Sequence, residues 1–155
     1  MKIYGAGSLE EIEKCTKLGV EGILTNPQGF EQYFDSKLTL EEITEAIVER
    51  TDLPVFIQIH GPSSEELIKR GRKLHEISSQ VGFKIIADEK GFWAIRQLQK
   101  DGINCIATTL FTVSQATVAA NVEAFAICPF VARAREIDMD PVKILKTIKM
   151  NYNQL

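Results

Sequence analysis

Six short apolar runs, each followed by a stretch of helical periodicity, constrain the fold of this chain more than any other feature. The runs cover residues 2–5, 20–25, 55–60, 82–87, 103–107 and 123–128. Turn and cap residues punctuate them. Ser8 with Glu11, and Ser63 with Glu66, have the spacing of capping boxes, so each pair predicts a helix start. Leu9, Ile12, Cys15 and Leu18 form the apolar stripe of the first helix, and Gly19 is placed to end it. Asn26-Pro27 breaks the second run, and a short helix is predicted over 28–34. Thr39 caps a helix through Arg50, and the Ser63 helix is predicted to reach Ser79. Further helices are predicted over 90–99, closed by Gly102, over 113–122, and from Asp140-Pro141 onward. Strand and helix alternating in this way predict parallel strands joined by right-handed crossovers.

The fourth run, Gly82-Phe83-Lys84-Ile85-Ile86-Ala87-Asp88, carries a lysine inside it. A strand covered on both faces has no wet side. A charged amine there is costly and tends to lose its proton. The neutral amine is a nucleophile for carbonyl carbon, and the product is a Schiff base. The competing reading is that Lys84 snorkels to the strand end or pairs with Asp88 or Glu89.

Charge and composition exclude several classes. A net charge of −3 gives no electrostatic draw toward nucleic acid or an anionic membrane. No apolar run approaches the roughly 20 residues that span a bilayer. Met1 to Gly5 leads at once into an acidic helical segment, unlike a signal peptide. Cys15, Cys105 and Cys128 are odd in number and widely separated. That pattern suits a reducing cytoplasm, and argues against a disulfide framework or a zinc site. His60 and His75 are too few and too far apart to suggest a metal centre, and His75 reads as a helix-surface or core-edge residue. Gly5-Ala6-Gly7-Ser8 lacks the third glycine of a dinucleotide fingerprint. The expectation is a cytoplasmic protein with no cofactor, no metal, no nucleic acid and no membrane partner.

The polar residues concentrate at or just past the C-terminal ends of the predicted strands. Thr25 and Asn26 end strand two, Gln58 and His60 lie at strand three, and Lys84 is in strand four. Thr108 ends strand five and Arg133 follows strand six. In a βα barrel that face carries the active site. Lysine, threonine, glutamine, asparagine and arginine together suit a site for a carbonyl and a phosphate. Polar residues also resume at any strand end, which accounts for Thr25 and Thr108 but not for Gln58 and Lys84.

These residues match a known family. The chain resembles the transaldolases, especially the small subfamily that includes fructose-6-phosphate aldolase. Leu24-Thr25-Asn26-Pro27 is similar to the family's Thr-Asn-Pro after strand two, and Gln58 stands where small members carry glutamine. Lys84 precedes Gly91 by seven residues, the spacing of the family's Schiff-base lysine. Residues 91–98 parallel the next helix, Asp101-Gly102-Ile103 the turn beyond it, and Thr108 the strand-five threonine. Cys128-Pro129-Phe130-Val131-Ala132-Arg133 resembles the Ser-Pro-Phe-Val-Gly-Arg signature. The resemblance spans nearly the whole chain.

It implies an α/β fold, a TIM-type βα barrel in one domain over 1–155, truncated after six βα units with strands seven and eight missing. It implies a Schiff-base lysine at Lys84. Thr108 places a water for proton transfer, with Gln58 helping to hold it, and Phe130 completes the catalytic set. Asn26, with Thr25 beside it, binds the dihydroxyacetone part of a sugar phosphate. Arg133 binds the phosphate, and Cys128 stands at the signature's serine. A homo-oligomer is implied as well. Three departures stand out. Ala6 replaces a family aspartate used in proton transfer. Phe130 follows true transaldolases rather than the tyrosine of the fructose-6-phosphate aldolases. The chain stops where the family continues into two more strands. The expected function is a class I aldolase or transaldolase that cleaves or transfers a dihydroxyacetone unit. The alternative is a degenerate, non-catalytic relative that binds a sugar phosphate or a protein partner.

Overall fold

The structure is a computed structural model that describes residues 3–152. Its elements run β1 (Tyr4–Gly5), α1 (Leu9–Lys17), β2 (Gly22–Leu24), α2 (Pro27–Tyr33), α3 (Leu40–Val48), β3 (Val55–Gln58), α4 (Ser64–His75), β4 (Val81–Ile86), α5 (Glu89–Lys100), β5 (Cys105–Leu110), α6 (Val113–Asn121), β6 (Ala126–Pro129), α7 (Val131–Glu136) and α8 (Pro141–Tyr152). The six strands are parallel and their order in the sheet is their order in the chain. Lys2, at the start of the first predicted run, lies outside the described residues.

Local sequence explains most element ends. Ser8 and Thr39 each close a full capping box, with Glu11 and Glu42 as the reciprocal partners. At α4 only half of the predicted box forms: Ser63 accepts from the Glu66 amide, with no reciprocal bond from the Glu66 carboxylate. Gly19 and Gly102 take left-handed φ values of 80° and 81° just past α1 and α5, as their positions predict.

Several boundaries differ from expectation, and four differences shape the site. Helix α4 ends at His75 rather than Ser79, because the chain must turn early to deliver Val81 to β4. There Val81 donates to the Ser78 carbonyl, and the His75 Nδ1–H donates to the Val81 carbonyl at 2.6 Å. Strand β5 runs on through Thr108 to Leu110, with a register shift against β6 between Thr108 and Leu110. Strand β6 starts at Ala126 because Glu123 is spent in a left-handed turn at φ 59°. Residues 131–136 form a helix where none was expected, although Val-Ala-Arg-Ala-Arg-Glu is rich in helix formers.

The sheet has two unlike faces. Val55, Ile57, Phe83, Ile85, Cys105 and Ala107 point outward and pack in one core with Leu67, Leu74, Ile95 and Leu98 of the covering helices. The alternate residues point the other way. On that inner face Phe56 and Ile106 are 1% and 2% exposed. The Phe56 ring meets Tyr4 edge-on at 5.9 Å and stacks on Phe125 at 5.5 Å. Phe125 immediately precedes β6, three strands from β3. Across a flat sheet that is roughly 14 Å. The sheet is therefore curled, with β1, β3 and β6 converging on Phe56. This is six strands of barrel-like α/β architecture.

Candidate active site

The inner face gathers the polar residues. Gln58 and Lys84 are register partners across β3 and β4. Lys84 is opposite Ile106, and Thr108 lies two residues further along β5 on the same face, opposite Cys128 of β6. Gln58, Lys84, Thr108 and Cys128 thus project from four adjacent strands into one concavity.

Lys84 is 6% exposed. None of the ion pairs among the described residues includes it. Asp88, one suggested partner, instead caps α5 by accepting from the Gly91 amide at 2.8 Å. Glu89 is exposed. Burial pushes the Lys84 amine below its ordinary range, and Cys128 opposes that shift electrostatically. Helix α5 sits tight against β4, since a Cβ on Gly91 would fall on the Ile86 carbonyl oxygen.

Thr108 is fully buried, and its Oγ1 is the one buried side-chain oxygen or nitrogen without a hydrogen-bond partner among the described residues. An unpaired buried hydroxyl is costly, and such groups point to a water or ligand position. The next residue, Thr109, has φ 61°, a strained conformation for a β-branched side chain. The strain accompanies the register shift that carries β5 past Thr108.

The other expected site residues are placed as follows. Thr25 is buried and taken up by β3: its Oγ1 accepts from the Gln58 amide at 2.9 Å and donates to the Phe56 carbonyl at 3.3 Å. It therefore holds the Gln58 backbone. Asn26 is the N-cap of α2, accepting from the Gly29 amide at 2.7 Å, and lines a pocket of about 200 Å³ with Ala6, Leu24, Phe30 and Tyr33. Phe130 lies at the start of α7, edge-on to Phe111 at 5.8 Å. Arg133 is exposed on α7 and pairs with Glu136 at 2.9 Å. Ala6 is exposed beyond β1 and brings no carboxylate of its own to that strand end.

The sequence places His60 among the strand-end polar residues without assigning it a chemical role and does not single out Arg70 or Lys90; the three cluster past β3. The Arg70 Nη1 donates to the His60 carbonyl at 2.6 Å, and the Lys90 Nζ donates to the Gly61 carbonyl at 2.8 Å. His60 Nε2 lies 3.2 Å from Gln58 Nε2. The signal available was a histidine two residues after the strand glutamine. Among the described residues no group of three His, Cys, Asp or Glu side chains could hold a metal ion. No described helix is long and apolar enough to cross a membrane.

Comparison with known proteins fits this geometry. The family model described as Transaldolase/Fructose-6-phosphate aldolase matches residues 6–155. The chain belongs to the transaldolase/fructose-6-phosphate aldolase family. It is 30% identical over 155 residues to a protein named "Probable transaldolase" from Thermoplasma volcanium, covering 99% of this chain and 70% of that one. It is also 30% identical over 158 residues to a "Probable transaldolase" from Roseiflexus sp., covering 99% and 71%. Among solved structures, the dihydrodipicolinate synthase of Rhodopseudomonas palustris superposes with a TM-score of 0.52 at 14% identity, covering 78% of this chain and 50% of that one. That likeness bears on the fold alone. Within this transaldolase-family chain, Gln58, Lys84, Thr108 and Cys128 share the inner face of the curled sheet.

Proposed function

We propose that this chain is a Schiff-base aldolase or transaldolase acting on sugar phosphates such as fructose 6-phosphate. The observation that carries the reading is Lys84, a buried amine without a carboxylate partner, facing the same concavity as an amide and an unsatisfied hydroxyl. Burial favours the neutral amine, the form that attacks a ketone carbon. Attack gives a carbinolamine, which loses water to form an iminium. The C3–C4 bonding pair then flows into the iminium and an aldehyde leaves, with an enamine remaining on Lys84. Transfer to a second aldehyde, or protonation and hydrolysis, completes the cycle.

The Thr108 hydroxyl is suited to hold the water that moves protons in the carbinolamine steps, since nothing else occupies it. Gln58 stands beside Lys84 in register and supports that water. Asn26 keeps its amide N–H groups for substrate hydroxyls while its oxygen caps α2. Arg133 is assigned to the substrate phosphate, which must displace Glu136 from the guanidinium.

The test is imine trapping. The protein is incubated with fructose 6-phosphate or dihydroxyacetone, reduced with borohydride, and analysed by intact mass and peptide mapping. An adduct on the Lys84 peptide is expected. A folded sample that yields no adduct overturns the reading and favours a binding role without catalysis, which the alanine at position 6 would suit.

A further inference from the structure

The geometry points to His60 as the general base that takes the substrate's C4 hydroxyl proton during carbon–carbon cleavage. This rests on the Schiff-base reading of Lys84. Cleavage leaves a requirement that Lys84 cannot meet: its nitrogen is committed to the iminium, so the hydroxyl proton must go elsewhere. Past β1 stand the methyl group of Ala6 and the Glu11 carboxylate, which is engaged by the Ser8 amide at 2.8 Å as part of the α1 capping box. Gln58 and Thr108 are not bases, and Asp88 is occupied as a helix cap.

His60 is the imidazole connected to this face. It lies two residues after Gln58, and its Nε2 is 3.2 Å from the Gln58 amide nitrogen, which donates to it. Gln58 in turn is the register partner of Lys84. The imidazole's acceptor atom is thus directed toward the lysine side of the site while the residue as a whole stays exposed and open to substrate. An incoming hydroxyl replaces the Gln58 N–H on that lone pair.

The charged groups around the imidazole are Arg70 on α4, Lys90 on α5 and Lys84 on β4. Burial first, and then these cations, push it below the usual histidine range. The ring is therefore neutral and able to accept a proton near neutrality. Arg70 and Lys90 also pin the His60 and Gly61 carbonyls, which fixes the backbone from which the ring projects.

The step balances. The C4 hydroxyl proton passes to Nε2, and the freed oxygen pair forms the aldehyde C=O. The C3–C4 pair moves into the iminium to give the enamine. The imidazolium then returns its proton to C3, and water releases the product ketone from Lys84. No oxidant or reductant is involved.

The experiment compares wild type, His60→Gln and His60→Glu by two readouts, borohydride trapping with dihydroxyacetone and the pH profile of fructose 6-phosphate cleavage. Imine formation makes no use of His60, so all three proteins are expected to form the adduct. Cleavage by His60→Gln is expected to fall about 100-fold, the usual scale for losing a general base, and its acid limb to flatten. His60→Glu keeps a base of lower pKa, so its acid limb is expected to reappear at lower pH. A purely structural role would not move that limb. Adducts in all three with unchanged cleavage rates, or matching pH profiles for the two variants, overturn the role of His60 and leave Lys84 in place. No adduct on wild type overturns both.

Discussion

Phe125 stacks on Phe56 at 5.5 Å although two strands, β4 and β5, separate them in the sheet. Gly82 makes room for this contact, because a Cβ there would come within 2.9 Å of the Phe56 ring and 2.5 Å of the Asn104 carbonyl oxygen. One ring and one missing side chain thus take part in the curl that aims Lys84 at a concavity. Phe56→Ala is expected to destabilise the fold by about 3–5 kcal/mol, the range for deleting a buried aromatic. Urea denaturation followed by circular dichroism measures this. A loss under 1 kcal/mol would show that the curl is held elsewhere.

Lys84→Met should form no imine and should fold more stably near neutral pH. Burial lowers the Lys84 pKa, so the unfolded chain holds that proton more tightly. Between the folded and unfolded values the unfolded state binds more protons, and wild-type stability rises with pH. The gap between variant and wild type should accordingly shrink as pH climbs toward the ordinary lysine range. Denaturation curves at several pH values test this; a gap independent of pH would mean the amine is not desolvated.

Thr108→Val separates stability from activity. The hydroxyl is buried and unpartnered. With the water it is proposed to hold as its partner, its removal is expected to change stability by no more than about 1 kcal/mol. Turnover should fall, by about 100-fold if the water it holds is the proton carrier. Thermal melts and steady-state rates on one preparation give both numbers. A variant that loses stability along with activity would indicate a packing role.

Arg133→Ala should leave stability nearly unchanged, within about 0.5 kcal/mol, because both partners of its ion pair are 57% exposed. Its effect should appear in KM for a phosphorylated substrate, and not for dihydroxyacetone. Equal effects on both would remove Arg133 from phosphate binding.

Much of the scaffold and the central lysine were legible in the sequence, for identifiable reasons. Lys84 stands out because a lone cation inside an apolar run has few structural explanations. Ser8, Thr39, Gly19 and Gly102 act through local chemistry that spacing reveals. Thr109 was not legible: β-branched residues disfavour a positive φ, and only the pairing of β5 with β6 imposes it. Thr25 reads as a ligand-facing hydroxyl in sequence, yet it is spent on the β3 backbone, a partner supplied by tertiary structure. His60 carries no motif, and its relation to Lys84 exists only through the β3–β4 register.

Because the strands lie in the sheet in the order in which they occur in the chain, each finds its partner one or two helices upstream. During synthesis, that partner has already left the ribosome. The topology lets the nascent chain add one strand at a time from the N-terminus, with short loop closures at each step. The stacking of Phe125 on Phe56 is the exception, reaching back across two strands. Translation must reach the start of β6 before that contact can close, so the curl, and with it any chemistry at Lys84, waits for a segment made well after the lysine strand itself.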